Sequence, residues 1–495
     1  MTLDPTDWAA TRETGHRMID DMLGWQESIR TRAPWQPVPA ATKLRLDEPV
    51  PYHGMPLDAL YDVFVRDILP YPTGNVHPRF WGWVMGTGTP TGMLAEMLAA
   101  GMNSHVAGYD QAASVIEKQV MAWLKQLMGF PETASGLLVS GGTAANLNGL
   151  LAARVAKAGW DIREEGVHAG PPLTVYGSSE THSWAGKACE TMGLGRQGFR
   201  KVAVDHAYRL DIAACRALII SDIAAGKRPI AIVGNAGTVN TAAVDDLHAV
   251  RKLADEFDLW FHIDGAFGSM AAWSDSRALV AGQELADSIG FDLHKWGYMP
   301  YEVGVVLTRD ADAQLAAFQS QPGSAAYLLS SQQGISAGTT YFADRGLQLS
   351  RGFRALKVWM SMKEQGVDRI GAAIQANIDQ ARYLAERIEA SDVLELLTPV
   401  SMNVVCFRYA ANGMTHDQLN ALNQAILIQL QMRGIAVPSQ TILDSRFAIR
   451  VCITNHRSEL SDFDALIDAV LDLGAELGSV DAIAPRREAT EAMFK

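Results

Sequence analysis

One lysine of this 495-residue chain stands in an unusual setting. Lys295 follows His294 in the stretch FDLHKWGY (291–298), which is otherwise mostly apolar or aromatic. Burying an ammonium is costly unless a partner compensates its charge or the proton is given up. Lys295 is therefore either a desolvated, reactive amine or an ordinary lysine that reaches solvent from a strand end, with its methylenes over Trp296. The stretch by itself leaves both interpretations open.

A second candidate is the segment SGGTAAN (140–146), which joins a short apolar run to a helix rich in alanine and leucine. Small residues let backbone N–H groups approach an anion, and a helix N-terminus favours negative charge. Gly142 and Thr143 therefore form a candidate phosphate site. A glycine turn with a threonine cap explains the same letters equally well.

Two further polar residues, Asp264 and His182, follow apolar runs, where a parallel sheet presents its ligand site. Asp264 has no basic neighbour in sequence, so a pyridinium N–H would be a suitable partner, although such an aspartate often only caps a turn. His182 has the planar ring needed to lie against an aromatic ligand, but a lone histidine is more often structural. No metal-ligand spacing accompanies it, and we expect no metal site.

These four features together match the requirements of pyridoxal phosphate. That cofactor needs an amine to bind its aldehyde, a carboxylate to keep its ring nitrogen protonated, and an anchor for its phosphate. A histidine that stacks on the ring completes the set. Each feature is weak alone, but jointly and in this order they predict pyridoxal 5'-phosphate as the cofactor.

The elements that must position these residues can be located from the sequence pattern. Between about 136 and 308, short β-rich runs alternate with helical stretches, which is typical of a mainly parallel sheet covered by helices on both faces. Helical spacing precedes this region, and a long helical pattern followed by a strand pair comes after it. We place an N-terminal helical segment at 1–90, a large cofactor-binding domain at 91–350 and a small C-terminal α/β domain at 351–495.

Composition limits the classes of partner. The chain is 48% hydrophobic and carries a formal net charge of −13, which argues against nucleic-acid binding and gives no attraction to anionic membranes. No apolar run approaches the roughly 20 residues that span a bilayer. Four well-separated cysteines indicate neither a disulfide framework nor a zinc cluster, and the N-terminus lacks a signal-peptide pattern. We expect a cytoplasmic protein without nucleic-acid or membrane partners.

Two glycine-rich motifs offer alternatives. GTGTPTG (86–92) lacks the spacing of a dinucleotide-binding loop, and no clear apolar strand leads into it. GISAG (334–338) does match the nucleophile elbow of serine hydrolases, with Ser336 as the nucleophile. That motif needs a buried strand before it and a helix after it, whereas its flanks here are polar. A hydrolase using Ser336 is the distant alternative.

Several motifs, of which HKW around Lys295 is the most specific, carry a family resemblance. The others are HPRFWGW, GLLVSGGTAANLNGLLAAR, THS, HIDGAFGS, SRGFRALKVW, NVVCFR and RFAIRVCITN. From about 18 to 473 the chain resembles the group II pyridoxal-phosphate-dependent decarboxylases, especially the aromatic-L-amino-acid decarboxylases. The resemblance implies an aspartate-aminotransferase-like α/β architecture (fold-type I). Its large domain would hold a mainly parallel, mixed seven-stranded sheet. It also implies a homodimer whose N-terminal helices embrace the partner and whose active site is shared.

The resemblance also implies roles for individual residues. Lys295 would be the Schiff-base lysine, and Asp264 would pair with the ring nitrogen. His182 would stack on the ring, and Tyr327 would protonate the substrate carbon after CO2 leaves. The remaining cofactor contacts would come from Gly142, Thr143, Thr238, Ala266 and His294.

The same resemblance bears on substrate and product. Trp83, Val84, Ala107 and Tyr109 would line the side-chain pocket, the last two from the partner chain. Aromatic walls suit tryptophan, tyrosine, phenylalanine or DOPA, although core packing explains them too. We expect decarboxylation to the amine and CO2, since family members that form aldehydes typically replace the tyrosine or the stacking histidine. Decarboxylation of an acidic or aliphatic amino acid, or aldehyde formation, is the close alternative.

Three positions depart from the family pattern. Gly86 stands where the family has a threonine, and Val239 stands where another threonine lies below the cofactor, which leaves Thr238 as its substitute. Asp292 replaces the asparagine that precedes the family's PHK motif.

Overall fold

The computed structural model describes residues 2–320, 333–337, 340–411 and 413–478. Its α-helices are α1 (Trp8–Glu27), α2 (Ala40–Leu46), α3 (Leu57–Val63), α4 (Pro90–Met102), α5 (Ala112–Leu127), α6 (Gly142–Lys157), α7 (Ile162–Glu165), α8 (Trp184–Thr191), α9 (Ile212–Ala224), α10 (Leu247–Glu256), α11 (Ala311–Phe318), α12 (Ala355–Glu389), α13 (His416–Met432) and α14 (Leu460–Gly478). Its strands are β1 (Phe80–Trp81), β2 (Ser135–Val139), β3 (Leu173–Ser178), β4 (Phe199–Val202), β5 (Arg228–Asn235), β6 (Trp260–Asp264), β7 (Ser288–Asp292), β8 (Gly304–Thr308), β9 (Leu394–Leu396), β10 (Val404–Tyr409), β11 (Val437–Leu443) and β12 (Arg446–Cys452).

The larger sheet has seven strands in the order β2-β8-β7-β6-β5-β3-β4. Neighbours from β7 to β4 pair in parallel, whereas β8 runs antiparallel to both β2 and β7. The predicted α/β class with a mainly parallel, mixed seven-stranded sheet is thereby confirmed. The carboxyl ends of β2, β3, β6 and β7 share one edge of this sheet, which is where such folds bind ligands.

Most strands of this sheet form where the sequence is mostly apolar. Every residue of β2, β3, β6, β7 and β8 is buried. Strands covered on both faces have no solvent-facing side, so they lack the alternating pattern of a half-exposed sheet. Asp264 and Asp292 are the last residues of β6 and β7, so the two acids lie where the strands open toward the ligand edge.

A smaller sheet has five strands in the order β1-β11-β12-β10-β9. The two-residue strand β1 pairs in parallel with β11, while β11–β12 and β10–β9 are antiparallel pairs. The helix α13 packs against β11 and β12 and begins with a capping box at Thr415 and Gln418. This sheet matches the small α/β domain predicted from the strand pair near the C-terminus.

The chain divides into two compact units. One comprises the described residues of Met1–Trp83, Arg382–Leu397 and Val405–Lys495, and the other comprises those of Val84–Ala381 and Thr398–Val404. The seven-stranded sheet belongs to the second unit, and the five-stranded sheet, apart from Val404, belongs to the first. The domain boundaries at 90 and 350 stay predictions. No helix in the described part of the chain is both long and apolar enough to cross a membrane.

Candidate active site

Lys295 lies in the turn that follows β7, beside an acidic partner. Its Nζ is 2.9 Å from Oδ2 of Asp292, and the side chains of the lysine and the aspartate are 23% and 2% exposed. Burial by itself would lower the pKa of Lys295, but Asp292 and, more distantly, Asp264 raise that pKa above its ordinary value. The amine is therefore neither extended into solvent nor uncharged: in this structure it is an ammonium held by a carboxylate.

The backbone of this turn is held by a close approach of Gly86. A Cβ at Gly86 would lie 2.2 Å from the carbonyl oxygens of both His294 and Lys295, which no side chain tolerates. The N–H of Asp292 also donates to the carbonyl of Ala266 at 2.9 Å. A side chain at position 86 would therefore require the turn that carries Lys295 to move.

The glycine-rich segment before α6 reaches the same place. Gly142 is the first residue of α6, and a Cβ there would lie 2.8 Å from Oδ2 of Asp292 and 3.6 Å from the Cβ of Ala266. The N-cap residue, Gly141, has no side chain to cap the first turn. Thr143 is exposed beside it. The structure therefore brings Gly142, Ala266 and Asp292 together around an uncapped helix N-terminus, which favours an anion.

His294 also contacts the segment that leads into α6. Its Cε1 would be 3.3 Å from a Cβ at Gly141, and its Nδ1 accepts a hydrogen bond from the N–H of Val303 at 3.2 Å. Its ring also lies 4.5 Å, centroid to centroid, from that of Tyr301. Its Nδ1 also lies 3.1 Å from the carbonyl oxygen of Val303. Burial lowers the pKa of His294, so the ring is neutral at pH 7.

Asp264 is oriented by two donors. Its Oδ2 accepts the indole N–H of Trp184 at 2.5 Å, and its Oδ1 accepts the backbone N–H of Ala266 at 3.1 Å. Carboxylate oxygens have two lone pairs each, so both remain able to accept a further hydrogen bond. The arrangement fits a pyridinium N–H partner, and that role of Asp264 stays a prediction.

His182 precedes α8 and is exposed. Its Nδ1 accepts the N–H of Trp184 at 3.3 Å. Desolvation by the atoms around the ring lowers the pKa of His182, and the field of Asp264 opposes that change. Lys295 and Asp292 also act on this pKa, which places His182 in the electrostatic neighbourhood of the lysine.

Thr238 is buried in a turn after β5. Its Oγ1 is 3.1 Å from Oγ1 of Thr241 and accepts the N–H of Ala243 at 3.1 Å. The side chain thus stabilises its own turn, and its predicted contact with the cofactor stays a prediction.

The four residues predicted to line the substrate pocket fall in different parts of the chain. Trp83 ends one segment of the first unit and is exposed, and Val84 begins the second unit. In the second unit, Ala107 is fully buried, while Tyr109 is half-buried with its ring edge on His105 at 5.6 Å. Their joint role in a pocket stays a prediction.

The structure describes Ser336, the predicted nucleophile of the hydrolase alternative, but not Tyr327, the predicted proton donor. Tyr327 lies outside the described residues. Ser336 lies in the described segment 333–337, which forms a bend and a turn and contains neither strand nor helix. The N–H of Ala337 donates back to the carbonyl of Gly334 at 3.0 Å. This geometry differs from the strand-to-helix junction of a nucleophile elbow and disfavours the hydrolase alternative.

Three contacts of the site were not anticipated from the sequence. Asp292 is the ion-pair partner of Lys295, and its place three residues before the lysine was the available signal, because a turn brings i and i+3 together. Trp184 is the donor to Asp264 across 80 positions, and nothing in the sequence pointed to it. Tyr301 packs on His294 seven residues later. Within the described residues, no group of three or more His, Cys, Asp or Glu side chains could hold a metal ion.

Comparison with known proteins gives concordant matches. A family model described as "Pyridoxal-dependent decarboxylase conserved domain" matches residues 39–410. The chain is 32% identical to the aromatic-L-amino-acid decarboxylase of Bacillus atrophaeus over 477 residues, which cover 94% of this chain and 96% of that protein. It is 29% identical to tryptophan decarboxylase 2 of Oryza sativa subsp. japonica, covering 94% of each.

Comparison with solved structures also finds similar folds. The crystal structure of Oryza sativa TDC with PLP and tryptamine superposes with a TM-score of 0.88 at 24% identity, covering 96% of this chain and 100% of that one. At this level of identity the likeness establishes the shared fold alone.

Proposed function

This chain belongs to the pyridoxal-dependent decarboxylase family, and on that premise we propose that it removes the carboxyl group of an aromatic L-amino acid, releasing CO2 and the amine. Its cofactor is pyridoxal 5'-phosphate. One observation carries the assignment of the site: the amine of Lys295, the N-terminus of α6 and the carboxylate of Asp264 lie at the same edge of the seven-stranded sheet.

The cofactor, when bound, supplies an aldehyde that condenses with amines and a protonated ring that takes up the electron pair left by CO2. The chain supplies the groups that hold it. Lys295 would bind the aldehyde carbon, and the N–H groups of Gly142 and Thr143 would bind the phosphate. Asp264, already oriented by Trp184, would accept the ring N–H and keep that nitrogen protonated. The uncapped first turn of α6 supports the phosphate assignment.

Two histidines would complete the cofactor contacts. The lowered pKa of His182 leaves its ring uncharged at neutral pH, so it can lie flat against a cationic pyridinium without repelling it. The exposure of His182 in the single chain leaves its face open for such stacking. His294, neutral for the same reason and in contact with the Gly141 segment, would lie beside the phosphate.

The reaction also needs a proton donor. We propose Tyr327 for this role on the family resemblance: its hydroxyl would hold the proton that is delivered to the substrate carbon once CO2 has left. With Tyr327 and His182 both present, the amine is the expected product and aldehyde formation is the alternative.

The aromatic substrate class is proposed from the relatives. Proteins that match over nearly the whole chain are named for aromatic amino acids and tryptophan. Trp83, Val84, Ala107 and Tyr109 would then line the pocket for the substrate's side chain. An acidic or aliphatic amino acid is the competing class.

We further propose a homodimer with a shared active site. Supporting this, the first unit exposes apolar side chains on α2 and in the connection from α2 to α3: Leu44, Val50, Tyr52 and Met55. Of these, Tyr52 is 89% exposed. Exposed apolar runs of this kind mark interfaces more often than free surface. A cytoplasmic location is also proposed, since all four cysteines are free, which suits a reducing compartment.

The test of the function is a substrate panel. The purified enzyme with pyridoxal phosphate is incubated with single L-amino acids (tryptophan, tyrosine, DOPA, phenylalanine, glutamate, 2,4-diaminobutyrate), and CO2, amine and peroxide are measured. We expect CO2 and amine in equal amounts from at least one aromatic amino acid and the highest kcat/KM within that class. Preference for glutamate or diaminobutyrate would refute the aromatic assignment, and peroxide with aldehyde would refute the amine product.

A further inference from the structure

Asp292 is an enclosed carboxylate whose two oxygens are in unequal surroundings. Oδ2 lies 2.9 Å from Nζ of Lys295 and 3.9 Å from Nε2 of His294. Oδ1 is buried and has no hydrogen-bond partner among the described residues. A buried carboxylate with one bare oxygen is costly, and a cation in contact is what offsets that cost. The ammonium of Lys295 is the cation in contact here.

The same carboxylate borders the proposed phosphate position. Oδ2 would lie 2.8 Å from a Cβ at Gly142, and Oδ1 would lie 2.8 Å from a Cβ at Gly304. Glycines at both positions leave space for the carboxylate, so Asp292 packs directly against the segment that leads into α6. Asp292 therefore stands between the amine that would bind the cofactor's aldehyde and the helix end that would bind its phosphate.

We propose that Asp292 is the counter-ion that holds Lys295 as an ammonium in the cofactor-free enzyme and so sets the pH range in which the enzyme captures its cofactor. This inference rests on the proposed role of Lys295. It makes Asp292 a positioning residue for the lysine.

Other charged or titratable groups around Lys295 act at longer range. Asp264 raises the pKa of Lys295 but is already bonded to Trp184 and Ala266. Tyr301 is half exposed, and desolvation by the atoms around its ring raises the pKa of its phenol, so it is neutral at pH 7.

The two histidines near the lysine, His182 and His294, have lowered pKa values and are neutral at pH 7. Among the groups named, Asp292 alone makes a hydrogen-bonded ion pair with the lysine.

The charge of Lys295 matters because its amine must condense with the cofactor's aldehyde. A neutral amine attacks the aldehyde carbon; a C=N bond forms, and the aldehyde oxygen leaves as water with the two amine protons. The ammonium must therefore first lose one proton to solvent. Each unit by which the counter-ion raises the pKa of Lys295 lowers the neutral fraction about tenfold at a given pH.

Asp292→Asn keeps the shape of the side chain and removes its charge. A contacting opposite charge shifts a pKa by about 1–3 units, so the variant should react over a range about 1–3 pH units lower. At neutral pH, capture should then be at least about tenfold faster. Asp258→Asn is the matched control, because Asp258 also pairs with a lysine, Lys157 at 2.6 Å, but is 90% exposed.

The experiment measures Lys295 directly in the cofactor-free full-length chain. Trace acetylation by acetic anhydride is followed across pH, and the acetylated Lys295 peptide is quantified by mass spectrometry. Wild type should show a midpoint above the ordinary lysine value of about 10.4, Asp292→Asn a midpoint lower by about 1–3 units, and Asp258→Asn the wild-type midpoint. A wild-type midpoint below the ordinary value, or an unchanged midpoint in Asp292→Asn, overturns the proposal. The wild-type measurement decides even if the variant does not fold.

Capture of pyridoxal and of pyridoxal phosphate, each trapped with borohydride, provides the second readout. If Asp292 acts through the lysine's proton, the Asn variant accelerates capture of both aldehydes. Acceleration confined to the phosphorylated aldehyde would mean repulsion of the phosphate and would overturn the counter-ion role. Failure of the proposed function is distinguishable, because the trapped label would then map to a residue other than Lys295 in both proteins.

Discussion

The indole N–H of Trp184 donates to Oδ2 of Asp264 at 2.5 Å, linking the start of α8 to the end of β6. Both groups are buried, so the bond is made where water cannot replace it. A charge-assisted hydrogen bond of this kind fixes the plane of the carboxylate. The carboxylate proposed to hold the cofactor's ring nitrogen is thus oriented before any ligand arrives.

Removing this donor should weaken the function of Asp264. Trp184→Phe keeps most of the ring but loses the N–H, and hydrogen bonds to charged groups contribute about 1.5–3 kcal/mol. We expect kcat/KM for the preferred amino acid to fall by about tenfold or more and the cofactor to dissociate faster. Steady-state CO2 release and retention of visible cofactor absorbance on dilution measure the two effects.

A control for lost tryptophan volume and N–H bonding is Trp160→Phe. Trp160 donates to the carbonyl of Gly166 at 3.0 Å, away from the site residues. The Trp160→Phe variant should keep kcat/KM within about twofold of wild type. Equal losses in the two variants would mean that Trp184 acts through general stability.

Gly86→Ala should disturb the lysine turn. Its new Cβ would fall 2.2 Å from two carbonyl oxygens, those of His294 and Lys295, so the turn must move. We expect cofactor binding to weaken by at least about tenfold, since misplacing a reacting group by about 1 Å costs about 100-fold in rate. Titration of the cofactor-free variant with pyridoxal phosphate, followed by absorbance, gives the affinity.

The matched variant is Gly101→Ala in α4, where a new Cβ meets nothing within 4 Å. Alanine is also the better helix former, so this variant should bind cofactor normally and be slightly more stable. Normal cofactor affinity in Gly86→Ala would show that the lysine turn tolerates displacement.

Gly86 and Gly101 differ in their tertiary contacts, and such contacts could not be predicted from the sequence. The mostly apolar runs of β6 and β7 predicted buried parallel strands, and parallel strands predict a ligand edge, so Asp264 and Lys295 were singled out from pattern. The role of His294 came from the family resemblance. Gly86 was noticed as part of the GTGTPTG motif and as a departure from a family motif, and neither observation pointed to the turn that carries Lys295. Its contact with a turn about 200 positions away depends on tertiary packing, which no local pattern encodes.

A buried ion pair stabilises the second unit. The side chains of Glu117 and Arg351 are 0% and 1% exposed and form a close pair, and Arg351 also donates to the carbonyls of Val106 at 2.7 Å and Leu138 at 2.9 Å. Glu117→Gln leaves the guanidinium without its counter-charge, which typically costs about 3–5 kcal/mol. Chemical unfolding of the cofactor-free chain measures this loss in the free energy of unfolding.

The comparison variant is Glu256→Gln, which removes an exposed carboxylate 2.6 Å from Arg216. Exposed pairs contribute about 0–1 kcal/mol. We therefore expect a large difference between the two variants. Similar losses would contradict the interpretation of Glu117 as a partner that a buried charge requires.

Two buried histidines should make stability depend on pH. Burial lowers the pKa of both His77 and His262 to about 4. The unfolded chain takes up these protons near pH 6.5, whereas the folded chain does so only near pH 4. Their contribution is therefore constant above pH 6.5 and is lost as the pH falls toward 4, approaching about 3 kcal/mol for each histidine.

His262→Gln tests this dependence. His262 has Nδ1 2.8 Å from Oγ of Ser288 and Nε2 3.0 Å from Oδ1 of Asn146. We expect the variant to be less stable at pH 7 but to lose less stability than wild type between pH 7 and 4.5. Unfolding free energies at both pH values give the difference, and the exposed His53→Gln should behave as wild type. A wild-type pH dependence in His262→Gln would contradict a neutral, buried imidazole.

The partners of the site residues were the part least visible in sequence. Lys295 was recognised by its apolar context, yet its ion pair with Asp292 follows from the shape of the turn after β7. Trp184 stood near His182 in sequence, but its bond to Asp264 arises because the ends of β3 and β6 open on the same edge of the sheet. Sequence pattern identifies which residues reach that edge, while side-chain packing decides how they pair.

The proposed active site is tested most directly by identifying the lysine that binds the cofactor. The purified chain is loaded with pyridoxal phosphate, reduced with borohydride and digested, and the labelled peptide is sequenced by mass spectrometry, with Lys295→Ala as the comparison. We expect one label per chain on Lys295, and neither label nor CO2 release in Lys295→Ala. A stoichiometric label on another lysine, or undiminished CO2 release by Lys295→Ala, would contradict it.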